Sequence, residues 1–432
     1  MSGSEYSLDV YLGTKIIARL RLIQDQLTWQ YTEAWREKGY AISPHISLDG
    51  DIPPLNVQRF LRNYLPEGQG LEELLHAFNL SKYNTFGLVQ ALGLDVPGAL
   101  VMLMPTQHMP LTQFFREISN NELEERLNTR DEFNLLVWDQ KPRLSVAGVQ
   151  AKINVLLNDE NQLGFGEGGL CSTHLLKFEK QKYAHLVLNE FISMRLAQFC
   201  GLNVANVELK RYGKHQALLV ERFDRKFISM EDVKRRHVID GCQALNLSPD
   251  DKYERNFGSG QDVAHIRDGV SLVRLFKFAE QCLNPALVKQ QMLDWVLFNL
   301  MIFNCDAHGK NISFFVGPAG IDLAPFYDLV NIKMYPDFDQ EMAMGLGDEF
   351  DMSQVHAYQL ADFADTCRLP RLFVAKRLKH VIKKLLLPWP DDIDHVVRHE
   401  VESRYLQRYQ SLVTERCEYL LAEADDITGM SI

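Results

Sequence analysis

The chain opens on two short runs in which every second residue is apolar. Leu8, Val10 and Leu12 form the first, and Ile16, Ala18, Leu20 and Leu22 the second. A period of two is that of a strand with one buried face. Gly13-Thr14 between the runs reads as a tight turn, so the pair predicts a hairpin. From Pro54 to Phe78 the apolar positions change to helical spacing (Val57, Phe60, Leu61, Leu65), interrupted at Pro66-Glu67-Gly68. Residues 1–108 therefore read as a small β-rich module with a few helices.

Residues 111–136 predict a helical connector. Short β-type runs follow at Leu144–Leu157, Leu170–Phe178, Asn206–Glu208 and Ala217–Arg222. They surround one helix, Tyr183–Cys200, with Leu186, Glu190, Met194 and Ala197 at helical spacing and Gly201 as its stop. The charge-rich stretch 225–237 reads as a mobile loop. Helical patterns dominate from 238 onward. Pro285–Phe303 predicts an apolar helix capped by Asn284, with proline at its first position. The expected division is 1–108, 109–237 and 238–432: an extra N-terminal module, a small α/β part and a mostly helical part.

Composition narrows the class. With 432 residues, 46% apolar and 24% charged, the chain can fill two or three ordinary globular cores. Apolar stretches such as Trp295–Phe303 are too short to span a bilayer. The N-terminus lacks the cationic and apolar segments of a secretion signal. The cysteines at 171, 200, 242, 282, 305, 367 and 417 stand singly, without CxxC spacing, which favours reduced thiols over disulfides or structural zinc. A cytoplasmic protein without membrane association is expected. The net charge of −11 argues against whole-surface affinity for nucleic acid. One local exception stands out: Cys367–Pro390 holds seven Lys or Arg residues and no acidic one.

The candidate chemistry lies in four segments whose order matters. Ser145-Val146-Ala147-Gly148-Val149-Gln150-Ala151-Lys152, small residues before a strand, suits a loop whose backbone approaches a polyphosphate, though in isolation it is equally an ordinary turn. Lys177 ends the apolar strand of Thr173-His174-Leu175-Leu176-Lys177 and can hold phosphate oxygens, with Glu190 as an ion-pair partner; a solvated strand end is the competing account. Ala217–Arg225 runs from an apolar strand into a connector of the kind that binds adenine through its backbone, though in isolation it reads rather as a strand end followed by a solvated charge cluster. The fourth segment, Asn304-Cys305-Asp306-Ala307-His308-Gly309-Lys310-Asn311, is the specific one. An aspartate with an asparagine five residues later is the arrangement of a kinase catalytic loop, carboxylate for the substrate hydroxyl and amide oxygen for magnesium. Asp328, in Phe326-Tyr327-Asp328-Leu329, comes seventeen residues after Asn311, where a second magnesium ligand belongs.

In this order, SVAGVQAK, THLLK, VERFDR, QALNLSPDDKYE, NCDAHGKNIS and YDLV resemble the HipA family of kinase toxins over nearly the whole chain. LPEGQGLEELL and the Asp95–Ala99 turn resemble the small domain that precedes the kinase core in that family. The resemblance implies an α+β, two-lobed, protein-kinase-like fold that uses ATP and magnesium. It makes Asp306 the base, assigns magnesium to Asn311 and Asp328, and gives Lys177 the phosphates. The adenine hinge falls on Glu221, Arg222 and Phe223. Ala147, Gly148, Val149, Gln150, Ala151, Lys152, His308, Lys310 and Tyr327 complete the implied ATP site. Ser145 becomes the autophosphorylation serine, and its modification would add roughly −1.5 to −2 charges to the loop that must cradle ATP. The implied protein substrate is an aminoacyl-tRNA synthetase, glutamyl-tRNA synthetase foremost.

The same resemblance implies a HipB-like helix-turn-helix antitoxin and repression of the shared operon. In the basic segment, Val374, Leu378, Val381 and Leu385 form one apolar stripe, leaving Lys376, Arg377, Lys379 and Lys383 to offer cations to operator phosphates. A solvated basic face explains the pattern equally well. Two other functions use the same parts. One is a small-molecule phosphotransferase; the other is a DNA-binding co-repressor without catalysis.

Overall fold

The N-terminal alternation folds as a hairpin. β1 (Tyr6–Leu12) pairs antiparallel with β2 (Lys15–Ile23) through a turn in which Gly13 takes a φ of 61°. β3 (Gln26–Tyr31) continues the meander, and β4 (Leu100–Leu103) closes the other edge, giving the order β3-β2-β1-β4. Across the sequence between them lies α1 (Pro54–Arg62), with Val57, Phe60 and Leu61 buried, and then a helix over Gln69–Phe78 after the break at Pro66–Gly68. The computed structural model describes residues 6–110, 112–130, 135, 137–139, 141–143, 150–179, 182–229 and 232–432. Ser145, Ala147, Gly148 and Val149 thus lie outside the described residues.

The chain divides into two compact units. The first comprises Met1–Lys180, Lys210–Pro249 and Phe314–Gly320; the second comprises Gln181–Leu209, Asp250–Ser313 and Ile321–Ile432. Besides the N-terminal sheet, the first unit holds a six-stranded sheet. Its strands are β5 (Gln113–Glu117), β6 (Lys152–Leu157), β7 (Leu163–Gly168), β8 (His174–Phe178), β9 (Val207–Tyr212) and β10 (His215–Glu221), in the order β9-β10-β8-β6-β7-β5. Ile153, Val155, Phe165, Leu176, Phe178 and Leu219 fill the core beneath it around Trp138.

Two expectations are corrected here. Residues 111–136 are not a continuous helix: Gln113–Glu117 forms β5 against β7, and the helix spans only Asn120–Asn128. Adjacent Phe114 and Phe115 favour a strand, and Ser119 starts the helix by accepting the Glu122 N–H on its hydroxyl. Nor is 225–237 an open loop. Arg225–Ser229 and Asp232–Arg235 pair as an antiparallel hairpin. Its charge misleads because Arg225 is buried and hydrogen-bonded to the carbonyls of Val96 and Gly98.

The second unit is built on helices. α2 (Leu186–Phe199) ends before Gly201, whose φ is 91°. α3 (Pro285–Met301) starts where Asn284 accepts the Leu287 N–H, and most of its length is buried. Such an all-round apolar helix belongs in the middle of a core. α4 (Arg371–Leu385) and α5 (Glu400–Glu423) complete the packing, with Val374, Leu378, Val381 and Leu385 of α4 buried as one stripe. Asn189 on α2 donates to the carbonyl of Asn331 at 3.0 Å and accepts its N–H at 2.7 Å. This reciprocal pair fixes the chain three residues beyond Asp328.

Candidate active site

The central loop grows out of the end of α3. Phe303 takes a φ of 54°, which turns the chain out of the helix, and Asn304 then folds back on it. The Asn304 N–H reaches the Asn299 carbonyl, and Asn304 Nδ2 reaches Asn299 Oδ1, both at 2.9 Å. Along this loop Cys305 and His308 to Asn311 are buried while Asp306 is exposed. Burial pushes the Cys305 thiol up to about 12, and it donates to the Gln340 carbonyl, so it is not a nucleophile.

Asp306 is held from several sides. Its carbonyl accepts the His308 N–H and Asn311 Nδ2, both at 2.8 Å. Its carboxylate accepts the Tyr253 hydroxyl at 2.7 Å. Since Asn311 spends its nitrogen on Asp306, the amide oxygen is its remaining metal-type atom. His308 accepts the Lys310 N–H on Nδ1, and its ring meets Tyr253 edge-on at 5.2 Å. Burial, with Lys252 adding to it, holds His308 down at about 3, so the ring is neutral.

Asp328 follows a segment fixed from both sides. Phe326 exchanges backbone hydrogen bonds with Asn203 and Ala205 and stacks on Trp295 of α3. Tyr327 donates to the Lys310 carbonyl at 2.6 Å and meets the Ser313 hydroxyl at 2.8 Å. Asp328 itself takes a φ of 59°. Aspartate is among the few non-glycine residues that adopt this left-handed conformation, and the fixed segments on either side hold it there.

In the first unit, Gln150 donates to the Phe178 carbonyl, whose own N–H donates to Ala151. Lys152 of β6 and Lys177 of β8 stand directly opposite each other, and both are buried. Glu221 is exposed and Phe223 half-buried, its ring edge-on to Phe315 at 5.9 Å. Arg222 turns its guanidinium inward, to Asp224, Ser172 and the Val96 carbonyl. Only its backbone remains for a ligand. Lys177 belongs to the first unit and Glu190, buried on α2, to the second.

The four candidate cations of α4 separate into two kinds. Lys376 and Lys383 are exposed. Arg377 instead makes a bidentate pair with Asp294 of α3, at 2.6 and 2.7 Å, and Lys379 pairs with Asp425. Sequence reasoning passed over Tyr253 and Lys252 as site residues. Their signal was present in the QALNLSPDDKYE segment, but a tyrosine 53 residues before Asp306 has no periodic relation to it.

These features are those of a protein kinase. The family model for the HipA-like C-terminal domain matches residues 144–389, and that for the HipA N-terminal domain matches 8–103. The serine/threonine-protein kinase toxin HipA of Shewanella oneidensis is 44% identical, over 99% of this chain and 98% of its own length. Y4mE of Sinorhizobium fredii is 31% identical over 87% of this chain and 89% of its own. A solved complex of Shewanella oneidensis HipA, HipB and operator DNA contains a chain that matches with a TM-score of 0.90 at 44% identity, covering 98% of this chain and all of that one. The chain belongs to the HipA family, and it is a serine/threonine protein kinase with that family's α+β, kinase-like fold.

Proposed function

We propose that the protein is the toxin of a HipBA-type pair and moves the γ-phosphoryl group of ATP to a serine or threonine hydroxyl of a protein. The observation that carries the site assignment is the loop in which Asn311 Nδ2 binds the Asp306 carbonyl while the exposed Asp306 carboxylate faces outward. Asp306 orients the attacking hydroxyl and accepts its proton as the new P–O bond forms and the bridging β–γ bond breaks. The Asn311 amide oxygen and the Asp328 carboxylate are hard oxygen donors that suit magnesium, which when bound neutralises charge on the phosphates. Lys152 and Lys177, opposite each other on adjacent strands, are the proposed phosphate-binding cations. Gln150, Ala151 and the backbone of Glu221 to Phe223 line the nucleotide, and neutral His308, Lys310 and Tyr327 hold the loop in shape.

Ser145 is the proposed autophosphorylation site, and Ala147, Gly148 and Val149 beside it in sequence are proposed to contact ATP. An aminoacyl-tRNA synthetase, glutamyl-tRNA synthetase foremost, is the proposed substrate. No disulfide joins the seven cysteines, all described and all buried, which suits a reducing cytoplasm. A HipB-like antitoxin and operator DNA are the proposed partners, and the Shewanella complex supports both. Of the four candidate cations on α4, the exposed Lys376 and Lys383 are the proposed phosphate contacts. Changing either to alanine in the antitoxin–operator complex should lower the salt slope of binding by about one.

The test is transfer of label from ATP with magnesium, to the chain itself and to a panel of synthetases, beside Asp306→Asn. Label at Ser145 or on one synthetase, absent from the variant, supports the reading. Transfer to aminoglycosides alone would replace it with a small-molecule phosphotransferase. No transfer from protein with unmodified Ser145 would leave a DNA-binding co-repressor.

A further inference from the structure

We infer that Tyr253 is a positioning residue for the Asp306 carboxylate, an inference that rests on the kinase reading of the loop. A catalytic base on an exposed turn must present one oxygen to the incoming hydroxyl in a fixed orientation. The Tyr253 hydroxyl donates to Asp306 Oδ1 at 2.7 Å, which fixes the orientation of the carboxylate beside the position of the incoming hydroxyl.

The tyrosine is itself anchored by the segment that carries it. The carbonyl of Lys252 accepts the Gly309 N–H at 2.9 Å, so residue 252 holds the loop three positions beyond the residue that 253 holds. The Glu254 N–H donates to the Ala343 carbonyl, and the Ala343 N–H donates to the Cys305 carbonyl. The Asp251 carbonyl accepts the Val270 N–H, and Val270 packs so closely on Gly309 that a Cβ there would lie 2.5 Å from its Cγ2. Residues 251–254 thus tie into both sides of Asp306. Edge-on contact with His308 sets the plane of the Tyr253 ring. The hydroxyl is therefore aimed by an anchored backbone and one ring contact as well as by the hydrogen bond it makes.

Tyr253→Phe keeps the ring and its contact with His308 and removes only the donor. The expected result is a kcat lower by about 10- to 100-fold, the range of one hydrogen bond to a charged group. KM for ATP, ADP affinity and the melting temperature should stay within twofold and about 1 °C of the parent. Tyr253→Ala should lose more kcat and some stability. A Tyr253→Phe enzyme with unchanged kcat would overturn the positioning role. So would one that is faster, since the hydroxyl would then be occupying the substrate's place. Asp306→Asn is measured in parallel: if it retains transfer, the kinase reading of the loop fails; if it is inactive while Tyr253→Phe is unimpaired, only the role of Tyr253 fails.

Discussion

Replacing Asp224 with asparagine should weaken the first unit more than any other single isosteric change there. Its carboxylate accepts from Arg222 Nε at 3.0 Å, Arg222 Nη2 and Arg225 Nη1 at 2.9 Å, and the Gly98 N–H at 2.7 Å. Both arginines are buried, and their other carboxylate, Asp95, lies at 3.4 to 3.5 Å. Burial alone would raise the Asp224 carboxyl, but Arg222 and then Arg225 overcome it and hold it well below the usual carboxylate range. An amide in its place leaves two guanidinium charges with one distant counter-ion. Breaking a buried pair in this way costs about 3–5 kcal/mol. For a unit of this size that corresponds to a melting temperature lower by roughly 6–20 °C. Thermal unfolding at pH 7, followed by intrinsic fluorescence, reads it directly. A depressed carboxylate contributes stability that is complete above its unfolded value of about 4 and is lost as pH falls below that. The difference between parent and variant should accordingly shrink below pH 4. A shift under about 2 °C at pH 7, or a difference unchanged at pH 3, would refute the argument that this ion network carries the Asp95–Gly98 turn and the proposed hinge.

Other expectations follow from single contacts. Arg377→Ala leaves Asp294 buried without its bidentate partner and should cost about 2–4 kcal/mol, while Lys376→Ala should cost under about 0.5 in the same denaturation assay. His237 is buried against the Ile42 carbonyl, and burial lowers it to about 4, so its stabilising contribution is complete above its unfolded value of about 6.5 and declines as pH falls. By pH 5 the loss should reach about 2 kcal/mol, and a His237→Gln variant should show a shallower acid slope. Gly309→Ala would drive a Cβ into Val270, displacing the loop, and should reduce phosphoryl transfer at least about tenfold, with partial recovery in a Gly309→Ala, Val270→Ala double variant.

Local patterns in the sequence determined much of this protein. The hairpin of β1 and β2, the cap and first proline of α3, the stop of α2 at Gly201 and the apolar stripe of α4 all follow from periods and capping residues read within a few positions. The spacing of Asp306 and Asn311 was legible for the same reason, since one turn of chain brings an asparagine back onto the aspartate's carbonyl. Tertiary structure decided what local rules cannot see. Charge made 225–235 look like a solvated loop, but Asp95 and the carbonyls of Val96 and Gly98, over a hundred residues away, give Arg225 its buried place. Arg377 and Lys376 are neighbours with the same charge, yet only the packing of α4 on α3 turns one to Asp294 and leaves the other in solvent. Tyr253 reaches Asp306 across a gap in the chain that no periodicity spans. Hydrophobic period and capping are set by a residue's nearest neighbours along the chain, whereas the partner of a charge or hydroxyl is set by whichever segment the folded core brings beside it.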